Sequence, residues 1–295
     1  MKTPQQPFHD FGQALGVSDL WLKREDMHPY GSQKGRSIPL MIQTYFKKQG
    51  LTRFVISSSG NAALASALTV KKHNQNNPHA KISLQIFVGQ HIDVTKLKKL
   101  QTVITDEEYI ALEQHTNPKQ QAFQLDKQGQ AKFLRQSTDD LALEGYAELA
   151  QELNKIPNLQ AIFVPTSSGT TAQGLAQAFM LLNQKPQIHI VQTESCHPLA
   201  ESFDTPRNIQ ETSLAGAIVD HVAHRKQQVH QQIQQSGGSG WIVNNQEIQH
   251  AKDITTQKAN IDISFNSALS IAGLCKAIEN GWKWNGAVVC LITGR

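Results

Sequence analysis

Cysteine is scarce in this chain, with three residues, Cys196, Cys275 and Cys290, among 295. Their odd number and wide spacing match neither a disulfide framework nor a set of metal ligands, so we expect no bound metal. Together with a polar start that lacks a secretory signal, they favour a reducing, cytoplasmic location. No apolar run is long enough to span a bilayer, so we expect no membrane partner.

A strong charge of one sign is also missing, since the formal net charge is +4 and charged residues make up 18% of the chain. The basic residues are scattered, and the clearest group, Lys96, Lys98 and Lys99, fits a solvated helix face. No basic stripe with an aromatic platform accompanies them, which argues against a nucleic-acid partner. A hydrophobic content of 39% is ordinary for a globular protein, and the length is sufficient for two modest domains.

Strand-like and helix-like segments alternate along the sequence. Apolar residues recur with helical spacing after about Gln33, which predicts a helix even though Pro39 lies inside it; they are Ile38, Met41, Ile42, Tyr45 and Phe46. Short apolar runs at 54–56, 161–164 and 287–292 predict buried strands. Strands that alternate with helices predict an α/β fold with mostly parallel sheets that are covered by helices on both faces.

Three turns rich in glycine, serine and threonine each stand between a predicted strand and a predicted helix. In open α/β sheets, ligands bind at the carboxyl ends of the strands, where such turns lie. The first turn consists of Gly31, Ser32, Gln33, Lys34, Gly35 and Arg36; the second of Ser57, Ser58, Ser59, Gly60 and Asn61; the third of Ser167, Ser168, Gly169, Thr170 and Thr171.

The third turn predicts a phosphate site. Its small residues let backbone N–H groups point at an anion, and the helix that follows adds the positive end of its dipole. No Gly-Lys-Ser/Thr follows, so it is not a Walker loop, and it is not a dinucleotide fingerprint. The alternative interpretation is a plain turn in which a serine caps the helix.

The other two turns also allow two interpretations each. Backbone and hydroxyl donors at Ser57 to Asn61 can hold a carboxylate, or one serine can simply cap the next helix. Lys34 stands just inside a helix, where a cation is slightly unfavourable, which hints at a chemical role. Its ordinary interpretation is a solvated surface lysine.

Taken in order, these segments resemble the fold-type II enzymes that use pyridoxal 5′-phosphate (PLP). His28-Pro29-Tyr30-Gly31-Ser32-Gln33-Lys34-Gly35-Arg36 is similar to the family motif Asn-Pro-Thr-Gly-Ser-Phe-Lys-Asp-Arg. The turn at Ser58-Ser59-Gly60-Asn61, the turn that begins at Ser167, and Thr293-Gly294 resemble the other family signatures. Within the family, the segments 213–218, 236–238 and 268–275 look most like threonine synthase and threonine dehydratase.

The resemblance implies a role for each site residue. Lys34 would form the Schiff base with PLP, and its freed amine would then take the Cα proton of the substrate. Ser57, Ser58, Ser59, Gly60 and Asn61 would bind the substrate carboxylate, and Asn61 would also contact the cofactor ring. Ser167, Ser168, Gly169, Thr170 and Thr171 would hold the cofactor phosphate, and Thr293 would face the pyridine nitrogen.

The resemblance also implies a fold and an assembly. We expect two open, mostly parallel twisted sheets, as in the tryptophan synthase β chain. Residues 1–45 and 149–295 would form a large cofactor-binding domain, and residues 46–148 a smaller mobile domain. The protein would be a cytoplasmic homodimer that acts on a small amino acid in amino-acid biosynthesis.

The implied activity is that of an amino-acid lyase or synthase, with a threonine synthase-like reaction as the first hypothesis. Threonine synthase needs a second anion site for a substrate phosphate, for which Arg36 and Lys23 are candidates. The alternatives are a serine/threonine dehydratase and a cysteine synthase-like enzyme. Gln33 and Gly35 depart from the motif, and the chain stops soon after Thr293, which keeps a catalytically impaired PLP-binding homologue open. A nucleotide-binding α/β protein would explain only the third turn.

Overall fold

The computed structural model describes residues 2–105, 108–208 and 210–294; Met1, Asp106, Glu107, Ile209 and Arg295 lie outside the described residues. In the described ranges the strands are β1 (Gln5–Pro7), β2 (Asp19–Arg24), β3 (Arg53–Ser57), β4 (Ser83–Gly89), β5 (Ile110–His115), β6 (Lys132–Phe133), β7 (Leu159–Pro165), β8 (Gln187–Thr193), β9 (Gly240–Val243) and β10 (Ala287–Ile292). The helices are α1 (His9–Leu15), α2 (Lys34–Gln49), α3 (Asn61–Asn76), α4 (Val94–Val103), α5 (Pro118–Lys127), α6 (Leu141–Glu144), α7 (Ala147–Leu153), α8 (Thr170–Phe179), α9 (Lys226–Ser236), α10 (Asn245–Ala259) and α11 (Phe265–Glu279).

Two compact units are present. Unit 1 consists of Met1–His28 and Tyr146–Arg295, and unit 2 consists of Pro29–Gly145. These units differ from the predicted domains mainly in that unit 2 includes α2. The predicted functional division at residues 45 and 148, with a large cofactor-binding domain and a small mobile one, stays a prediction.

Unit 1 is built on a sheet with the order β1-β2-β10-β7-β8-β9 in the described residues. β1 runs antiparallel to β2, and the other neighbours are parallel. Alternate residues of the fully buried β10 face opposite cores: Val288 and Cys290 pack with α10 and α11, and Val289 and Leu291 pack with α7 and α8. Helices therefore cover both faces, as the predicted alternation requires.

Unit 2 contains a parallel sheet with the order β5-β4-β3-β6 in the described part of the chain. Its larger core joins the sheet to α2 and α3, and the buried face of α2 includes Ile38, Met41, Ile42 and Tyr45, as predicted. A smaller core lies under α5 on the other face of the sheet, around Phe87 and Phe133. The predicted fold class is confirmed.

Local sequence signals explain several helix ends. Asn244 and Glu247 cap the start of α10, because the Asn244 side chain accepts from Glu247 N while the Glu247 carboxylate accepts from Asn244 N. Gly237 ends α9 with a left-handed φ of 72°. Gly238 lies so close to β8 that a Cβ there would fall 2.0 Å from Ile188 O, so only glycine fits at this position.

A buried aromatic cluster lies in the core of unit 1 around His189. The ring of His189 stacks on Phe163 with 4.5 Å between ring centroids. Its Nδ1 accepts from Trp241 Nε1 at 3.2 Å, which places the ring proton on Nε2, 3.2 Å from Gln187 Oε1. Burial lowers the pKa of His189 to about 3, so the ring stays neutral at physiological pH.

Two further findings concern membranes and metal ions. Among the described residues, none of the helices combines the length and the apolar character needed to cross a bilayer. In the same ranges, no group of three or more histidine, cysteine, aspartate or glutamate side chains is arranged to hold a metal ion.

Candidate active site

Lys34 is the first residue of α2, in unit 2, and is half-buried. The turn before it depends on Gly31, whose φ of 76° lies in the left-handed region that favours glycine. Ser32 then fixes the start of the helix, because its hydroxyl accepts from Lys34 N at 3.3 Å and its carbonyl from Gly35 N at 3.0 Å. The backbone of Lys34 is thus held rigidly. Pro39 does not interrupt α2.

The first turn of α2 is held from the other side by Gly145, at the end of α6. A Cβ on Gly145 would lie 2.4 Å from Ser37 Cα and 2.7 Å from Arg36 O. Only glycine allows this approach of two backbones. The close packing fixes α2 within one turn of Lys34.

Gly145→Ala is therefore expected to shift the first turn of α2. Overpacking of this kind costs about 1–3 kcal/mol of stability, and a displacement of about 1 Å at a reacting group can cost ~10²-fold in activity. Urea unfolding and the turnover of PLP-loaded protein measure the two effects. Gly89→Ala is the matched control in unit 2, because a Cβ at Gly89 has nothing within 4 Å. Equal behaviour of the two variants would contradict the prediction.

The second turn follows β3 and leads into α3, also in unit 2. Ser57 ends the strand, Gly60 is the N-cap residue, and Asn61 is the first residue of the helix. Ser58 Oγ accepts from Gly60 N at 3.3 Å, which tightens the turn. Because Gly60 has no side chain that could cap α3, the start of this helix is suited to an anion.

Lys34 and the second turn lie close together within unit 2. A Cβ on Gly31, three residues before Lys34, would lie 3.5 Å from the Leu64 side chain, three residues after Asn61. The neighbouring Tyr30 side chain forms a hydrogen bond with Thr69 of α3, although burial raises the pKa of Tyr30 overall. The residues just before α2 therefore contact the first half of α3.

The third turn connects β7 to α8 in unit 1. Gly169 is the N-cap residue of α8 with a φ of 84°, and a Cβ there would also meet Val229 Cγ2 at 2.7 Å. Both the conformation and the space require glycine. The N-cap residue is a glycine and has no side chain that could cap α8, and the positive end of the helix dipole lies at this turn, which favours an anion there.

Ser167 and Ser168 are fixed within the third turn by hydrogen bonds. The main-chain carbonyl of Ser167 accepts from Gln192 Nε2 at 3.3 Å, and Gln192 Oε1 in turn accepts from Leu199 N at 2.8 Å. The hydroxyl groups of Ser168 and Thr170 are 2.9 Å apart. The turn is thus organised by its surroundings before any ligand arrives.

Thr293 directly follows β10 and is buried. β10 and β7 are adjacent parallel strands, so Thr293 and the third turn lie at the same edge of the sheet of unit 1. The next residue is clamped, because Gly294 O accepts from Ser264 Oγ at 2.6 Å and from Ser267 Oγ at 2.9 Å. Both serines belong to the start of α11.

The predicted residues thus form two groups. Lys34 and the turn Ser57 to Asn61 belong to unit 2, and the turn Ser167 to Thr171 and Thr293 belong to unit 1. The structure adds supporting residues that the sequence motifs do not reveal, namely Gln192, Ser264 and Ser267. They are distant in sequence from the residues they hold, and a serine or glutamine carries no periodic signal of such a contact.

The donors at these sites fit PLP. The third turn offers a helix start with a glycine N-cap and several hydroxyls for a phosphate, and Thr293 offers a neutral hydroxyl at the same sheet edge. Beside Lys34, the Gln33 side chain is 8% exposed, and its Oε1 is buried without a hydrogen-bond partner among the described residues. Buried acceptors are normally satisfied, so this atom fits a position beside a bound molecule that carries donors.

Fold and site together define an enzyme that works with pyridoxal phosphate. The chain belongs to the pyridoxal-phosphate dependent enzyme family, whose model matches residues 1–294, and its cofactor is PLP. This confirms the resemblance to fold-type II PLP enzymes.

The chain is similar to several characterised members of that family. It is 26% identical to the L-threonine dehydratase catabolic TdcB of Staphylococcus aureus, over 99% of this chain and 83% of that protein. It is 25% identical to the threonine synthase of Methanocaldococcus jannaschii, over 99% of this chain and 74% of that protein. The solved structure of maize serine racemase has the same fold, with a TM-score of 0.80 at 17% identity over 100% of this chain and 88% of the racemase.

Proposed function

We propose that this protein is a PLP-dependent dehydratase that removes water from serine or threonine. The observation that supports the proposal is the contact of the turn before Lys34 with α3, where a Cβ on Gly31 would lie 3.5 Å from the Leu64 side chain. In the proposal, the Lys34 amine then works beside a carboxylate-binding turn at the start of α3. In this proposal Lys34 Nζ holds the cofactor aldehyde, and Ser167, Ser168, Gly169, Thr170 and Thr171 bind its phosphate. The products are a 2-oxo acid and ammonia.

When bound, PLP withdraws electrons from the Cα of an amino acid. The residues of this chain do the rest. Donors at Ser57 to Asn61 orient the α-carboxylate, and the Lys34 amine takes the Cα proton. The neutral Thr293 hydroxyl accompanies the cofactor ring without adding a charge, which suits loss of a β-leaving group better than transamination.

The buried cations argue against the threonine synthase reaction, our first hypothesis from the sequence. Lys23 is fully buried, and its ammonium group donates to Thr3 O, Gln5 Oε1 and the Glu152 carboxylate. An ammonium has three donors, so Lys23 has none left for a substrate phosphate. Arg36, the other candidate, is also buried. A hydroxy amino acid needs no second phosphate site, so these contacts favour the dehydratase, whereas the similarities to a threonine dehydratase and to a threonine synthase are nearly equal.

A substrate panel tests the proposal. PLP-loaded protein is mixed with serine, threonine, phosphohomoserine, or O-acetylserine plus sulfide, and the products are separated, with chiral analysis of the amino acids. Release of a 2-oxo acid and ammonia from serine or threonine supports the dehydratase. If the main product is threonine from phosphohomoserine or cysteine from O-acetylserine, the enzyme is a synthase rather than a dehydratase. If the main product is a D-amino acid, it is a racemase. Bound cofactor with no turnover at all would indicate the catalytically impaired homologue.

The assembly and the setting of the enzyme stay predictions from the sequence. The sequence predicts a cytoplasmic homodimer that acts in amino-acid biosynthesis and has no nucleic-acid partner.

A further inference from the structure

The segment 212–222, called here the 212–222 loop, is held in place by side chains of other elements of unit 1. It forms no helix or strand in the described structure. Leu214 N donates to Asn245 Oδ1, and Ala217 N donates to Asn266 Oδ1, both at 2.9 Å. These contacts tie the loop to the starts of α10 and α11.

The far end of the same loop contacts the third turn of the candidate site. Val219 N and Asp220 N both donate to Ser167 Oγ, at 3.2 and 3.3 Å. A hydroxyl oxygen has two lone pairs and one proton. With both lone pairs used by the loop, the Ser167 hydroxyl can act toward a ligand only as a donor. Its partner must then be an acceptor, such as an anionic oxygen.

Burial shows which contacts orient this end of the loop. Ile218 is buried and anchors the middle of the loop in the core. Val219 and Val222 are 65% and 63% exposed, so apolar packing does little to fix the segment that reaches Ser167. Asn266 binds the backbone only two residues before Val219. Together with the buried Ile218, it fixes the backbone directly before the Val219 and Asp220 N–H groups.

We propose that Asn266 is a positioning residue for the phosphate site. It orients the 212–222 loop, and through the Val219 and Asp220 N–H groups it presets the Ser167 hydroxyl as a donor to the cofactor phosphate. The inference rests on the proposed function in one respect, namely that the phosphate of PLP binds at Ser167 to Thr171. It assigns to Asn266 an effect on the phosphate end of the cofactor alone.

Comparison of PLP with pyridoxal, which lacks the phosphate, tests this assignment. Each ligand is titrated by visible absorbance into the full-length cofactor-free chain and into its variants. We expect Ser167→Ala to raise the Kd for PLP about tenfold and Asn266→Ala to raise it about threefold or more. We expect neither variant to change the Kd for pyridoxal, because pyridoxal makes no phosphate contacts.

Asn280→Ala is the matched control. It removes an asparagine side chain that bonds to Lys276 O at the opposite end of α11, and it should leave both Kd values unchanged. The inference is overturned if Asn266→Ala binds PLP like the wild type. It is also overturned if the variant loses affinity for PLP and pyridoxal equally, because the change would then reflect general disruption of the fold.

The two proposals fail in different ways. Borohydride reduction followed by peptide mapping shows whether wild-type protein carries the cofactor on Lys34. If Lys34 is labelled and Asn266→Ala is normal, only the role of Asn266 is refuted. If Lys34 is not labelled but Asn266→Ala and Ser167→Ala still weaken the binding of PLP and not of pyridoxal, the proposed function is refuted and the role of Asn266 is supported.

Discussion

Replacing Lys34 with alanine is expected to abolish the covalent link to PLP and to lower turnover about 10²–10⁴-fold. The reason is that one amine has two tasks, to hold the cofactor and to take the Cα proton. Borohydride trapping with mass spectrometry measures the first, and the initial rate of 2-oxo acid release measures the second. Small primary amines added to the solution should restore part of the rate, since they can take the place of the missing Lys34 amine.

Lys48→Ala is the appropriate control for this experiment. Lys48 lies in the last turn of the same helix and is exposed, so its loss leaves α2 and the site intact. We expect its labelling and turnover to match the wild type. A Lys34→Ala protein that still traps PLP on another lysine, with full activity, would show that Lys34 is not the anchoring residue.

The largest effect on stability is expected at Lys23, where Lys23→Met should lower the free energy of unfolding by about 3–5 kcal/mol. The substitution leaves the 7%-exposed Glu152 carboxylate inside the protein without its cation. It also removes the bond from Lys23 Nζ to Thr3 O, at 2.9 Å, which ties the start of the chain to β2. Urea unfolding followed by circular dichroism measures the change.

The double variant with Glu152→Met separates the ion pair from packing. Buried ion pairs are often replaced by apolar residues of similar volume at little net cost, because both charges then escape desolvation. The double variant should therefore recover most of the stability lost by Lys23→Met. If it is less stable than either single variant, packing rather than the unpaired charge accounts for the loss.

Much of the fold and part of the site could be predicted from the sequence. Helical spacing of apolar residues located α2, because this signal is local, and the capping pair Asn244 and Glu247 at the start of α10 is a signal of the same local kind. The three turns could be found because glycine and small hydroxyl residues are needed at such strand-to-helix junctions. Gly31 and Gly169 do adopt the left-handed conformation that explains their presence.

Other features depend on contacts that no local pattern encodes. Lys23 and Glu152 are 129 positions apart, so the sequence could not distinguish a structural ion pair at Lys23 from a phosphate-binding lysine. The same applies to Asn266, which reaches Ala217 from 49 positions away. Gly145 likewise gives no local signal of its contact, and only the fold shows that it packs against the backbone of α2.

The aromatic core around His189 has a practical consequence for spectroscopy. All four tryptophans of the chain, Trp21, Trp241, Trp282 and Trp284, belong to unit 1, whereas unit 2 contains only tyrosine and phenylalanine as its fluorescent side chains. Tryptophan fluorescence, excited at wavelengths that tyrosine and phenylalanine do not absorb, therefore reports the unfolding of unit 1 alone. A tryptophan introduced on α5 would give unit 2 a signal of its own, so that the melting of the two halves could be watched separately.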